Sequence, residues 1–489
     1  MKGLYYKVNK IKNIIYILLI IFFMISIVPK ELQNDTFFTI ANGRLILENG
    51  LQQEEQLVWH KDLNFSNPRW LFDILITIIY NKFDFNGIYI FVVIFAILEG
   101  LLYYTVLNKI TKNKSLSFFF TIISMYELKI AFTARAQIIS NLFLLIEFYC
   151  LENIKSSSRL KKQYVLLLLI MPIIFANMHA STFPIYLIVF IPYIIEYIAY
   201  KIKLINNEEG KLICETKNFK AIIILFIISL LEGFVFPMGL VPYTYMFKNM
   251  NGISSNFIIE LQPIKIFDEI YFTAVLISTI SILIFSKQKF RISDGLFILG
   301  FAILAFNNFR SYYYFVIISS ICFIRIFTDF LNVYEFEITK TFKNLSLIFG
   351  ICFIIVNSTI LLLDNIAQEY IGDYPVEAVE YICKNINVDQ MRIYNHFNFG
   401  SYLELKGIKA FVDSRSEIYT EEFNPGCTIL QDWFDASNLK VNYNDIFDQY
   451  EITHVLLYDD ESLTNYIKYD PKWKMLYQDE GFILYERVS

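Results

Sequence analysis

The chain has 489 residues, 56% of them hydrophobic and 18% aromatic, with a formal net charge of −5. A mean hydropathy of +0.45 excludes an ordinary soluble globular protein, and recurring apolar runs of about 18 residues point to membrane-spanning helices. The charge is split: residues 364–489 hold roughly 23 acids against 10 bases and leave the rest basic by about 8, a bias expected of membrane loops that gives no reason to invoke nucleic acid.

In chain order, Lys2, Lys7, Lys10 and Lys12 precede the apolar run 14–28. No small-residue cleavage site follows, so a retained first span with a cytoplasmic N-terminus is expected. An outer loop, 30–70, comes next. Residues 70–80 are too short to cross and are expected to lie at the interface, where Trp70 is at home. Further spans are expected at 87–107, 116–128, 138–151, 164–176, 183–200, 221–236, 270–285, 295–306, 312–327 and 345–363. Lysines and arginines gather in the loops that this alternation puts inside, and the C-terminal segment is left outside.

That segment changes character. Pro375 opens a helix with Val376, Val379, Ile382, Cys383 and Ile386 on one face, and strand-like runs follow at 392–397, 410–413, 454–458, 474–478 and 482–487. The expected fold is a polytopic α-helical membrane domain of about eleven spans, residues 1–363, followed by a small extracytoplasmic α/β domain, residues 364–489. Of the six cysteines, Cys150, Cys322 and Cys352 fall in apolar runs and Cys214 in a basic loop. Cys383 and Cys427 share the outer domain, the one pair an oxidising compartment would let bridge. With four histidines and no CxxC or HExxH spacing, a dedicated His/Cys metal cage is not expected.

Charges beside apolar segments need partners or a water-filled cavity, which makes them functional candidates. On this topology they converge on the outer face. Asp35 follows the first span, Arg135 sits in the turn Thr133-Ala-Arg-Ala-Gln137, and Asn177 and His179 follow the fifth span. Glu260 and Gln262 come after the seventh, and Asn307, Asn308 and Arg310 end the ninth. Each alone reads equally well as a headgroup contact or local pair. Together, one acid with several arginines, amides and a histidine suits phosphate handling: Arg binds phosphate bidentately, and a carboxylate serves as general base or metal ligand. In the outer domain, Asp413 and Arg415 end a strand-like run and form a candidate ligand edge, with a local salt bridge as the plainer reading.

At this point the chain resembles the GT-C superfamily of polytopic glycosyltransferases. The likeness rests on Asp35-Thr-Phe-Phe-Thr-Ile-Ala-Asn-Gly-Arg44 in the first outer loop, and Arg135-Ala-Gln, Asn177-Met-His179, Glu260-Leu-Gln-Pro263 and Arg310 support it. The C-terminal Gly400-Ser-Tyr-Leu403 and Phe411-Val-Asp-Ser-Arg415 are similar to a bacterial branch of such proteins. The resemblance implies an inverting enzyme of the cell membrane that moves a sugar from a polyprenyl-phosphate donor to a cell-envelope acceptor. Asp35 would be the catalytic base or a metal ligand, with Arg44, Arg135, His179, Glu260 and Arg310 binding substrate or phosphate. Asn34-Asp35 stands where several members carry paired acids, and no Asp-x-Asp follows, so divalent-metal use stays open. The alternatives are a lipid or solute transporter or flippase, and a non-catalytic assembly or sensor protein.

Overall fold

A computed structural model describes residues 2–157, 159–202, 216–256, 258–286, 290–336, 338–367, 373–479 and 481–488. Cys214, most of the basic stretch 201–220, and Lys287 and Lys289 lie outside the described residues. The chain divides into two compact units. One comprises Met1–Pro29, Tyr89–Tyr243 and Ile259–Ala367, and the other Lys30–Ile88, Thr244–Ile258 and Gln368–Ser489. The first outer segment thus shares a unit with the C-terminal segment.

The helices run α1 Lys2–Ile27, α2 Asn34–Asn49, α3 Trp70–Thr111, α4 Lys114–Glu127, α5 Gln137–Ser156, α6 Lys162–His179, α7 Phe183–Ile188, α8 Ile191–Lys201, α9 Thr216–Glu232, α10 Val241–Asn251, α11 Ile270–Phe285, α12 Ile292–Asn307, α13 Tyr312–Tyr314, α14 Ser320–Val333 and α15 Lys340–Ala367. Among the described residues, six helical stretches are long and apolar enough to cross a membrane, and three shorter apolar helices accompany them. The chain is a polytopic helical membrane protein. Its lipid-facing stripes show as exposed apolar residues at helical spacing: Ile14, Leu18, Phe22 and Ile25 on α1, and Ile277, Ile280 and Ile284 on α11.

The expected interfacial run 70–80 and the span 87–107 form one helical stretch, α3, with a single non-helical residue at Asp84 (φ 55°, ψ −159°). The expected spans 164–176 and 183–200 are separated by a short 3-10 turn, Ala180–Thr182, after His179 leaves helical geometry (φ −156°).

At one end of the helices in the first unit, polar side chains are paired inside. Arg325 donates to Asp294 (2.8 Å) and Glu152 (2.7 Å), Arg291 meets Glu152 (3.3 Å), and Lys155 meets Glu196 (2.7 Å). Lys155, which the sequence suggests as a loop residue, is buried. Such pairs tie α5, α8, α12 and α14 together, because any member left alone would be an uncompensated buried charge.

The second unit contains a four-stranded sheet in the order β1-β2-β4-β3. β1 (Ile393–Asn395) runs parallel to β2 (His454–Tyr458), β2 is antiparallel to β4 (Phe482–Arg487), and β4 is antiparallel to β3 (Trp473–Gln478). The helices α16 Val376–Asn385, α17 Gly400–Leu405, α18 Ile429–Ser437, α19 Tyr443–Gln449 and α20 Ser462–Ile467 complete it. The run 410–413 is no strand, which corrects the sequence expectation. Ala410 makes only a single bridge, to Val58, and the Asn395 side chain accepts from the Phe411 amide and donates to the Val412 carbonyl (2.8 Å each). The unit's core mixes Phe38, Val58, Leu63 and Phe65 with Phe411, Val412, Tyr419 and the sheet residues Val455, Leu457 and Ile483. Cys383 and Cys427 are both free thiols.

Candidate functional site

The expected outer loop begins as a helix. In α2, Asp35 occupies the first turn, where a carboxylate suits the positive end of the helix dipole, and Gly50 (φ 75°) ends the helix with its amide on the Ile46 carbonyl. Asp35 is 8% exposed. Its Oδ1 lies 3.9 Å from Arg69 Nη2, and Arg69 Nε lies 3.6 Å from the fully buried Asp73. Asn42 and Asn67 each donate a side-chain N–H to Asp73 Oδ2, at 2.6 and 2.8 Å. Gly43 permits the close approach of α2 to α3, since a Cβ there would collide with the Asp73 carbonyl and the Thr77 hydroxyl.

Arg44, a candidate phosphate ligand, is engaged elsewhere in the same unit. It donates to the Leu405 carbonyl at the end of α17 (3.1 Å) and lies over the Tyr80 ring. Nine residues along a helix separate it from Asp35 by about 13 Å, so the structure does not bring the two together.

Asp413 and Arg415 are buried, so the reading as a ligand edge gives way to that of an ion cluster. Arg415 pairs with Glu55, with Asp413 (Nε to Oδ1, 3.0 Å) and with Glu404 (3.3 Å), and Tyr419 donates to Asp413 Oδ2 (2.6 Å). The guanidinium stacks over Phe38 and Phe65 at 4.2 and 4.8 Å. Burial opposes ionisation of Asp413, yet the Arg415 charge wins and holds its carboxyl below the usual range. Burial, reinforced by Asp413, pushes Glu404 well above that range. Beside one cation the two carboxyls are thus pushed in opposite directions.

The first unit gathers Arg135, Glu260 and Arg310. Arg135 Nη1 contacts both oxygens of Glu260 (3.1 and 3.0 Å), and Arg310 Nε donates to Oε2 (3.1 Å). The backbone explains the meeting. Phe309 N bonds to the Gln262 carbonyl and Ile264 N to that of Ala305, which stitches the Glu260 turn to the end of α12. Asn308 caps the next turn by accepting from Arg310 N (2.8 Å). The side chains of Arg135, Glu260 and Arg310 are 25%, 31% and 40% exposed. Two cations on one half-exposed acid make an anion-receptive surface. His179 Nδ1 is hydrogen-bonded to Ser140 (2.6 Å) and Thr182 (3.0 Å), and Gln137 accepts from Tyr314 (3.3 Å).

The sequence reading missed Asn42, Glu55, Asn67, Arg69 and Asp73. Asp73 alone offered a signal, as an acid within an apolar helix. Among the described residues, no group of three or more His, Cys, Asp or Glu is arranged to hold a metal ion.

No family model and no curated protein matches the sequence. Solved structures match the fold. The oligosaccharyltransferase AglB of Archaeoglobus fulgidus, in complex with an inhibitory peptide and a dolichol-phosphate, superposes with a TM-score of 0.62 at 10% identity, over 98% of this chain and 74% of that one. The apo form of the A. fulgidus oligosaccharyltransferase gives 0.56 at 10% identity, over 91% and 68%. ArnT from Cupriavidus metallidurans, bound to undecaprenyl phosphate, gives 0.51 at 7% identity, over 97% of both chains. At these identities the likeness is one of architecture: the chain shares the overall fold of these oligosaccharyltransferase and ArnT structures.

Proposed function

We propose that the protein is an inverting membrane glycosyltransferase that moves a sugar from a polyprenyl-phosphate donor to an acceptor of the cell envelope, with its N-terminus in the cytoplasm and residues 364–489 outside. The observation that carries this is the fold. Two of the structures it matches, over nearly the whole chain, hold a dolichol-phosphate and an undecaprenyl phosphate. In the reaction, the acceptor's hydroxyl loses its proton as its oxygen attacks the anomeric carbon. The bond from that carbon to the phosphate oxygen breaks, and the polyprenyl phosphate leaves. Asp35, nearly buried and 3.9 Å from the Arg69 guanidinium, is the base or the acid that holds a metal. Arg135 and Arg310 receive the donor phosphate, Glu260 orients them, and His179 takes part in substrate binding. No such role is assigned to Arg44, Asp413 or Arg415.

Asp35→Asn preserves shape and removes the charge. In membranes assayed with undecaprenyl-phosphate mannose and undecaprenyl-phosphate glucose, it is expected to lower transfer by about 10²–10⁴-fold. Unchanged transfer would remove Asp35 from the chemistry. A wild type that binds undecaprenyl phosphate yet transfers neither sugar would favour a transporter or an assembly protein.

A further inference from the structure

Arg69 stands between two acids, one of them anchored by two amides. Its Nε lies 3.6 Å from Asp73, which is fully buried and accepts from both Asn42 and Asn67. Its Nη2 lies 3.9 Å from Asp35, and both separations are those of ion pairs, too long for hydrogen bonds. The backbone fixes the origin of the side chain: Asn67 Oδ1 accepts from Arg69 N (2.8 Å), and Asp73 N donates to the Arg69 carbonyl (3.0 Å). The guanidinium lies 4.9 Å from the centre of the Phe38 ring, one helical turn beyond Asp35. Phe38 also carries the Arg415 guanidinium, which the acids of the ion cluster hold in place. Gly43 lets the two helices that bear these groups meet at backbone distance.

We propose that Arg69 is a positioning residue for Asp35, and that Asp73, anchored by Asn42 and Asn67, is the clamp that holds it in that role. This rests on the reading of Asp35 as the reacting acid. Asp73 shares the charge of Arg69, so the cation steadies the Asp35 carboxylate without closing on it in a bidentate pair. A carboxylate locked in such a pair is a weaker base and a poorer metal ligand.

Three variants test the clamp beside wild type and Asp35→Asn. Asp73→Asn keeps the shape and an oxygen for the two amides, Arg69→Met removes the cation, and Arg69→Lys restores it without the fork. With undecaprenyl-phosphate mannose and glucose as donors, Asp73→Asn and Arg69→Met are expected to lose about 10- to 100-fold in kcat. KM for the donor stays within about twofold of wild type, because neither residue is assigned to the phosphate. Arg69→Lys should recover part of the loss. Wild-type kcat in both variants, with Asp35→Asn inactive, would overturn the clamp and leave Asp35 as the reacting acid. An active Asp35→Asn would overturn both. If wild type transfers from neither donor, thermal midpoints decide. Asp35→Asn and Asp73→Asn should be non-additive in the presence of Arg69 and additive in Arg69→Met; additivity in both backgrounds overturns the clamp.

Discussion

The Arg415 cluster and the Arg135–Glu260–Arg310 group use the same chemistry in inverse proportion. Around Arg415, three acids and a tyrosine hydroxyl enclose one guanidinium, and the side chains are at most 3% exposed. Around Glu260, two guanidiniums share one acid, and all three side chains are a quarter or more exposed. Burial with excess acid saturates the cation, so its worth is structural. Exposure with two cations to one acid, among the described residues, is the arrangement the proposed phosphate contact draws on. The difference teaches that an arginine beside acids is not informative until burial and stoichiometry are known.

The strongest way to break the comparison is to empty the buried cluster. Arg415→Ala strands three acids and is expected to cost about 3–5 kcal/mol of stability, read as a lower thermal midpoint of the detergent-purified protein. Arg415→Lys should keep part of it, since it restores the charge without the fork. A midpoint unchanged in Arg415→Ala would mean that the cluster holds nothing together. In the exposed group the same truncation should act on binding instead. Arg135→Ala or Arg310→Ala should weaken undecaprenyl-phosphate binding by about tenfold, the lower end for a charge-assisted hydrogen bond, with little change in thermal midpoint.

Glu260→Gln sharpens the contrast. If Glu260 orients both guanidiniums, undecaprenyl phosphate should bind a few-fold weaker by titration; tighter binding would make Glu260 a competitor of the phosphate. The smallest effect lies in pH. The Glu404 carboxyl is raised on folding, by burial first, so its stabilising proton is fully in place below the unfolded value. That contribution fades as pH rises through the folded one. The midpoint of wild type should therefore decline on the alkaline side, and Glu404→Gln should flatten that limb. Asp413 is lowered by Arg415, so its contribution is present above its unfolded value and fades as pH falls through the folded one, which puts the acid limb under Asp413→Asn.

Apolar periodicity determined the membrane helices, because a segment in lipid must satisfy its own peptide groups and show lipid an apolar surface; the run 270–285 appears within the same bounds as α11. The sequence also marked Arg135, Glu260 and Arg310 individually, since charge beside an apolar run is costly and rare. Their meeting was a tertiary event, made by backbone bonds between the 262–264 and 305–309 segments. The same holds for Glu55 and Arg415, which pair across 360 positions, and for Asp35 and Asp73, which came to share Arg69 where α2 and α3 pack at Gly43. Residues 410–413 carry a strand pattern, yet beyond a single bridge to Val58 their peptide groups bond to side chains of Asn395 and His60. Local pattern follows from solvent and dihedral preference within a few residues. Which acid compensates which base depends on distances that only the closed packing of remote segments sets, and burial then decides whether the pair holds the fold or meets a ligand.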